Sequence, residues 1–193
     1  PGASDTLTVS GGANLSFVKE FSDEIIGAGS STTLTFTLTS AAESPSTATG
    51  LSFSDDLTTF MAGTSFSINS NTCGGSPGLS AGDTYLNYTG GTLAPGDSCS
   101  VVTTVSIPDA ATATLGTHTN TTSTLTGTAG GEALVVSAAS DTLTVQSALP
   151  MVTTKSFSPS TALPGETVTL TYTLTNPDTI RGYTNGTFFT DNY

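Results

Sequence analysis

Tryptophan is missing from the 193-residue chain, histidine occurs once, at His118, and the basic residues are three: Lys19, Lys155 and Arg181. Fifteen acids against those three give a formal net charge of -12. Such a field repels phosphate backbones and anionic lipid surfaces, which excludes nucleic acid as a partner. One histidine leaves no Ser-His-acid set to suggest nucleophilic catalysis. Acid pairs such as Asp55-Asp56 and Asp23-Glu24 are ordinary in a chain with 15 acids, so no enzymatic activity is expected. No apolar run approaches the roughly 20 residues that a membrane-spanning helix needs. No basic and apolar leader precedes Pro1, and the segment reads as soluble, with any leader or anchor outside it.

Cysteine is nearly as scarce. Cys73 and Cys99 are the two, and neither a second pair nor a histidine accompanies them as a zinc site would require. A disulfide is the natural reading. It implies an oxidising compartment, hence an extracellular or cell-surface location.

What the chain has in excess is hydroxyl groups: Ser and Thr fill 67 of 193 positions, while charged residues make up 9%. The surface must therefore be hydroxylic rather than ionic. Thr, Val, Ile, Phe and Tyr dominate the patterned stretches, and no window has a convincing helical period. Residues 31–39 alternate most clearly, with Leu34, Phe36 and Leu38 to one side and Thr33, Thr35, Thr37 and Thr39 to the other. A period of two is that of a half-buried strand. Further strands are expected at 15–21, 51–54, 65–69, 83–89, 99–107, 117–126, 132–136 and 141–145. About nine short strands divided by Gly, Asn, Pro and Asp turns make an all-β chain, expected as a two-sheet sandwich rather than a barrel or a β-helix.

The stretch from Lys19 to Thr39 is written twice. Lys19, Phe21, Ser22, Gly29, Leu34 and Leu38 recur as Lys155, Phe157, Ser158, Gly165, Leu170 and Leu174, a constant spacing of 136 positions. The same spacing lays Asp5 on Asp141, and Gly50, Phe53 and Asp55 on Gly186, Phe189 and Asp191. A fixed period of domain length is the mark of a tandem array. It divides the chain into the last strand of a preceding repeat plus a joint (1–13), a complete sandwich (14–146) and the incomplete start of the next repeat (147–193), which is expected to continue past Tyr193.

Lys-x-Phe-Ser, then Pro-Gly-Glu-Thr-Val-Thr-Leu-Thr-Tyr-Thr-Leu-Thr-Asn at 164–176, Cys73-Gly-Gly, Gly-Thr-Leu-Ala-Pro-Gly-Asp-Ser-Cys at 91–99 and Gly-Thr-His-Thr-Asn-Thr at 116–121 stand in a recognisable order. The chain resembles the Ig-like tandem repeats of bacterial cell-surface proteins, a conserved repeat domain of unknown function. The resemblance implies a β-sandwich with a Cys73 to Cys99 bridge, used in long secreted or surface-attached chains, and no catalytic residues. His118 departs from it, since such repeats often have Tyr there.

Candidate chemistry is sparse. His118, in a Thr-rich strand, is expected to be structural. Calcium is the one cofactor worth weighing, with Asp5, Asp141, Asp23 and Glu24, and Glu20 beside them, near the joints; no EF-hand spacing is present, and a solvated acidic face is the simpler expectation. The Thr-x-Thr runs at 33–39, 117–121 and 169–175 are expected to be ordinary strand surface rather than an ice-binding lattice. Exposed Tyr85 and Tyr88 around a cleft would favour a binder. Lys19 is the sharper oddity, because its parity sets it inward with Phe17 and Phe21. The expectation is a long stem that snorkels at the sheet edge with a free amine; the alternative is a covalent cross-link, with Asn120 as partner. The leading function is a structural repeat of an extracellular stalk, adhesin or filament, its partners neighbouring repeats and laterally assembled chains. The rival is a binding module for glycan, ice or a host protein.

Overall fold

Alternation becomes strand over most of residues 12–147 and 152–175, the parts of the chain that the computed structural model describes. In order these strands are β1 (Leu15–Phe21), β2 (Ile25–Gly27), β3 (Ser31–Ser40), β4 (Ala48–Asp56), β5 (Ser65–Asn71), β6 (Tyr85–Leu93), β7 (Ser98–Ser106), β8 (Gly116–Thr121), β9 (Leu125–Ala129), β10 (Glu132–Val136) and β11 (Ser140–Gln146), with β12 (Val152–Ser158) and β13 (Thr169–Thr175) beyond. The chain divides into two compact units, Pro1–Gln146 and Ser147–Tyr193. The expected strand at 5–9, with Asp5, lies outside the described residues.

In the first unit, one sheet has the order β1-β3-β7-β5 and a second β10-β9-β4-β6, while β2-β11-β8 forms a third, shorter ribbon. The first two sheets face each other across the core. From one side come Phe17, Phe21, Leu34, Phe36, Leu38, Val101 and Val105; from the other come Leu51, Phe53, Leu86, Tyr88 and Leu125, all buried. Phe53 is the keystone, its ring 4.8 Å from Phe17, 5.1 Å from Phe36 and 5.2 Å from Tyr88.

Besides the short β2, two details depart from the sequence expectation. The single strand expected at 117–126 is two: β8 pairs with β11, the chain crosses at Thr122, and β9 joins β4 and β10 in the other sheet. A helical turn, Leu57–Phe60, follows β4, begun by Asp56, whose side chain accepts from the Thr58 amide. That carboxylate satisfies a donor the turn would otherwise orphan.

Cys73 and Cys99 are joined, with a Cα separation of 4.9 Å. The bridge closes a loop of about 27 residues, for which loop-closure entropy gives about 3.5 kcal/mol. Labelling of the denatured, unreduced protein should find no thiol, and replacing both cysteines by Ala should lower unfolding free energy by about that amount.

Tyr88 holds the same loop from beneath, its hydroxyl donating to the carbonyls of Cys73 (3.1 Å) and Gly74 (3.0 Å). Gly91 packs against it; a Cβ there would stand 2.2 Å from the Tyr88 hydroxyl. Burial pushes the phenol up to about 12 from its ordinary 10.0. The native state therefore keeps this proton after the unfolded state has lost it. The stability this contributes is whole below pH 10.0 and is lost as pH rises through about 12. Urea midpoints should fall over that range, and fall less in Tyr88→Phe.

The second unit is described over β12 and β13, which form an antiparallel hairpin. Its pairing repeats that of β1 with β3. Lys19 lies opposite Phe36 and Phe21 opposite Leu34; Lys155 lies opposite Tyr172 and Phe157 opposite Leu170.

Candidate functional site

Lys19 stands at the fifth position of β1, between the inward rings of Phe17 and Phe21. Its parity sends it into the sandwich, and its side chain has no path out: the residue is 4% exposed. This corrects the expectation of a snorkelling edge residue. A stem can reach solvent only where the sheet ends beside it; here β11 and the second sheet close over it.

Asp55 comes from β4, two positions beyond Phe53 on the same inward face. Asn120 comes from β8, opposite Asp141 of β11. Both are 1% exposed. Three strands from three sheets thus bring a cation, an anion and an amide together. The Lys19 ammonium donates to Asp55 Oδ2 and to Asn120 Oδ1, and Asn120 Nδ2 donates to Asp55 Oδ1 at 2.8 Å. Each member touches the other two, and among the described residues no buried side-chain polar atom is left without a partner.

Burying such a pair costs several kcal/mol per ion, repaid only if geometry is good and the remaining groups are bonded. The balance shows in Lys19, whose amine is held below its ordinary 10.5 because burial disfavours the charged form, the opposing pull of Asp55 and, less, of Asp141 offsetting part of it. The ring of Phe36 lies 5.5 Å from Nζ and walls the site from water.

The other candidates fall elsewhere. Glu20, Asp23, Glu24 and Asp141 line one surface cleft with Thr142 and Thr144; of these, Asp141 accepts from the Phe21 amide at 2.7 Å and Asp23 from the Thr32 hydroxyl at 2.7 Å. Among the described residues no three acids, histidines or cysteines are placed to hold a metal ion. His118 hydrogen-bonds to the Thr114 carbonyl at 2.8 Å and sets its ring edge-on to Phe60, 5.6 Å away. Tyr85 is exposed whereas Tyr88 is fully buried, so the two form no aromatic platform; three positions apart on a strand, they point to opposite faces. Gly74 to Gly78 spell Gly-x-Ser-x-Gly, yet Ser76 there pairs by its backbone with Thr89 rather than heading a helix.

Sequence reading missed Asp55 as the third member. The signal was present: Leu51, Phe53 and Asp55 share one parity, and both Lys19 and Asp55 recur 136 positions on, as Lys155 and Asp191.

Fold and site together define an Ig-like β-sandwich module with a charged cluster sealed in its core. The family described as Domain of unknown function (DUF7933) matches residues 16–145, and the chain belongs to it. No curated protein matches it. Among solved structures it is similar to a CARDB domain from Pyrococcus furiosus in complex with di-metal ions, at 10% identity and a TM-score of 0.41 over 75% of this chain and 100% of that one. It is also similar to the bacterial hydrophobin BslA, at 16% identity and 0.41 over 71% and 97%. A cohesin module from a Clostridium perfringens family 33 glycoside hydrolase matches at 11% identity and 0.39 over 72% and 99%.

Proposed function

We propose that the chain is a structural repeat unit of a long extracellular stalk, adhesin or filament, whose work is reach and cohesion. What carries the reading is the recurrence of the opening hairpin: β12 and β13 repeat the residues of β1 and β3 at one spacing and in one register. In the first unit the inward positions Phe21 and Leu34 are buried. Their counterparts are Phe157, 51% exposed, and Leu170, half-buried, as befits the opening of a further sandwich. The disulfide and the hydroxyl-rich acidic surface suit an oxidising exterior. Neighbouring repeats and laterally packed chains are the expected partners, and no catalysis is assigned.

The rival, a module binding glycan, ice or a host protein, has a threonine face on β3 to draw on. Those hydroxyls are partly spent across strands, Thr39 on Ser98 at 3.0 Å for example. Low-dose electron microscopy of the native surface separates the two. A thread with an axial period of one sandwich is expected; isolated globular heads without a period would overturn the stalk.

A further inference from the structure

The three buried groups are the parts of an amide exchange, and we propose that they carry it out: the first unit closes itself with an isopeptide bond between Lys19 Nζ and Asn120 Cγ, releasing ammonia. The exchange has three requirements. Its nucleophile must be a neutral amine; Asp55 Oδ2, in contact with Nζ, takes the proton, and burial already weakens the amine's hold on it. Its electrophile must be polarised and near; Nζ bonds to Asn120 Oδ1, one bond from the carbon to be attacked. Its leaving group must depart as ammonia rather than as an amide anion, and Nδ2 lies 2.8 Å from Asp55 Oδ1. One carboxyl therefore spans nucleophile and leaving group, the position of a general acid and base. The fold supplies the proximity that makes so poor an electrophile react.

The atoms balance without oxidant or cofactor. The Lys19 ammonium gives one proton to Asp55, and the neutral Nζ attacks Cγ to form the Nζ–Cγ bond. Asp55 passes its proton to Nδ2 and accepts a second from Nζ. The Cγ–Nδ2 bond breaks, and ammonia leaves, taking the remaining proton from Asp55 as ammonium. A secondary amide and the Asp55 carboxylate remain.

The bond ties β1 to β8, residues 101 apart in sequence and in different sheets. It also explains why a core spends three polar residues where apolar ones would pack as well or better. The second hairpin keeps Lys155 at the register of Lys19, and Asp191 recurs with it.

Mass spectrometry of the whole chain, incubated until its mass no longer changes, decides the matter. The expected mass is below the sequence value by the two hydrogens of the disulfide and one ammonia. Digestion should then yield a branched peptide joining the segments of Lys19 and Asn120. Asn120→Ala should restore the ammonia, and if that variant does not fold, the wild-type peptide map decides alone. A wild-type mass lower by the two hydrogens only would overturn the proposal. So would an ammonia loss that maps to a succinimide at Asn185-Gly186.

Discussion

Pulled by its two ends with the disulfide intact, the first unit should release about 110 Å of chain where one without the Lys19 to Asn120 bond would release about 370 Å, at roughly 3.5 Å per extended residue. With the bond, load entering near Asn14 passes up β1 to Lys19, crosses to Asn120 and leaves through β8 to β11. Everything between residues 19 and 120 is then shielded, including β3, β4 and both cysteines. Without it the whole sandwich extends, less the stretch held by Cys73 and Cys99, whose separation is 26 residues. Reduction provides an internal control. It should leave the release unchanged in the wild type, since the disulfide lies inside the shielded loop, but lengthen it by about 90 Å in Asn120→Ala. Single-molecule force spectroscopy reads both numbers. A wild-type release that grows on reduction would mean that load reaches the disulfide and that no bond shields it.

Phe53→Ala should cost about 3–5 kcal/mol. The ring sits between the facing sheets and touches Phe17, Phe36 and Tyr88, so its removal opens a cavity that strands held from both sides cannot collapse. Phe53 also stands two residues before Asp55 on β4, and loosening that strand displaces the carboxyl from Lys19. Denaturation in urea measures the first effect, and the rate at which ammonia is lost measures the second. Phe53→Leu, which keeps most of the volume, should cost much less than Ala and retain the exchange.

The outline of the fold was legible because a strand with one face in the core must alternate. Residues 15–21 and 31–39 gave their inward sets without ambiguity, and Leu34, Phe36 and Leu38 are fully buried. Three-residue β2 was not legible, being too short to carry a period; it is made by parallel pairing with β11, a contact 119 residues away in sequence at Ile25 and Thr144. Nor was the break at Thr122, since Thr-rich stretches 117–121 and 124–126 have the same alternation whichever sheet they join.

Sequence alone determined that Lys19 points inward, that the two cysteines have only each other, and that the opening hairpin is written twice, because parity, composition and spacing are local properties. Only the tertiary structure decided that Lys19 is sealed rather than snorkelling, and that its partners are Asp55, 36 positions on, and Asn120, 101 positions on. Alternation fixes the face a side chain takes, but which inward faces meet is set by how the sheets pack. That packing answers to the whole core at once, with Phe53 at its centre, and to no pair of residues that could be read along the chain.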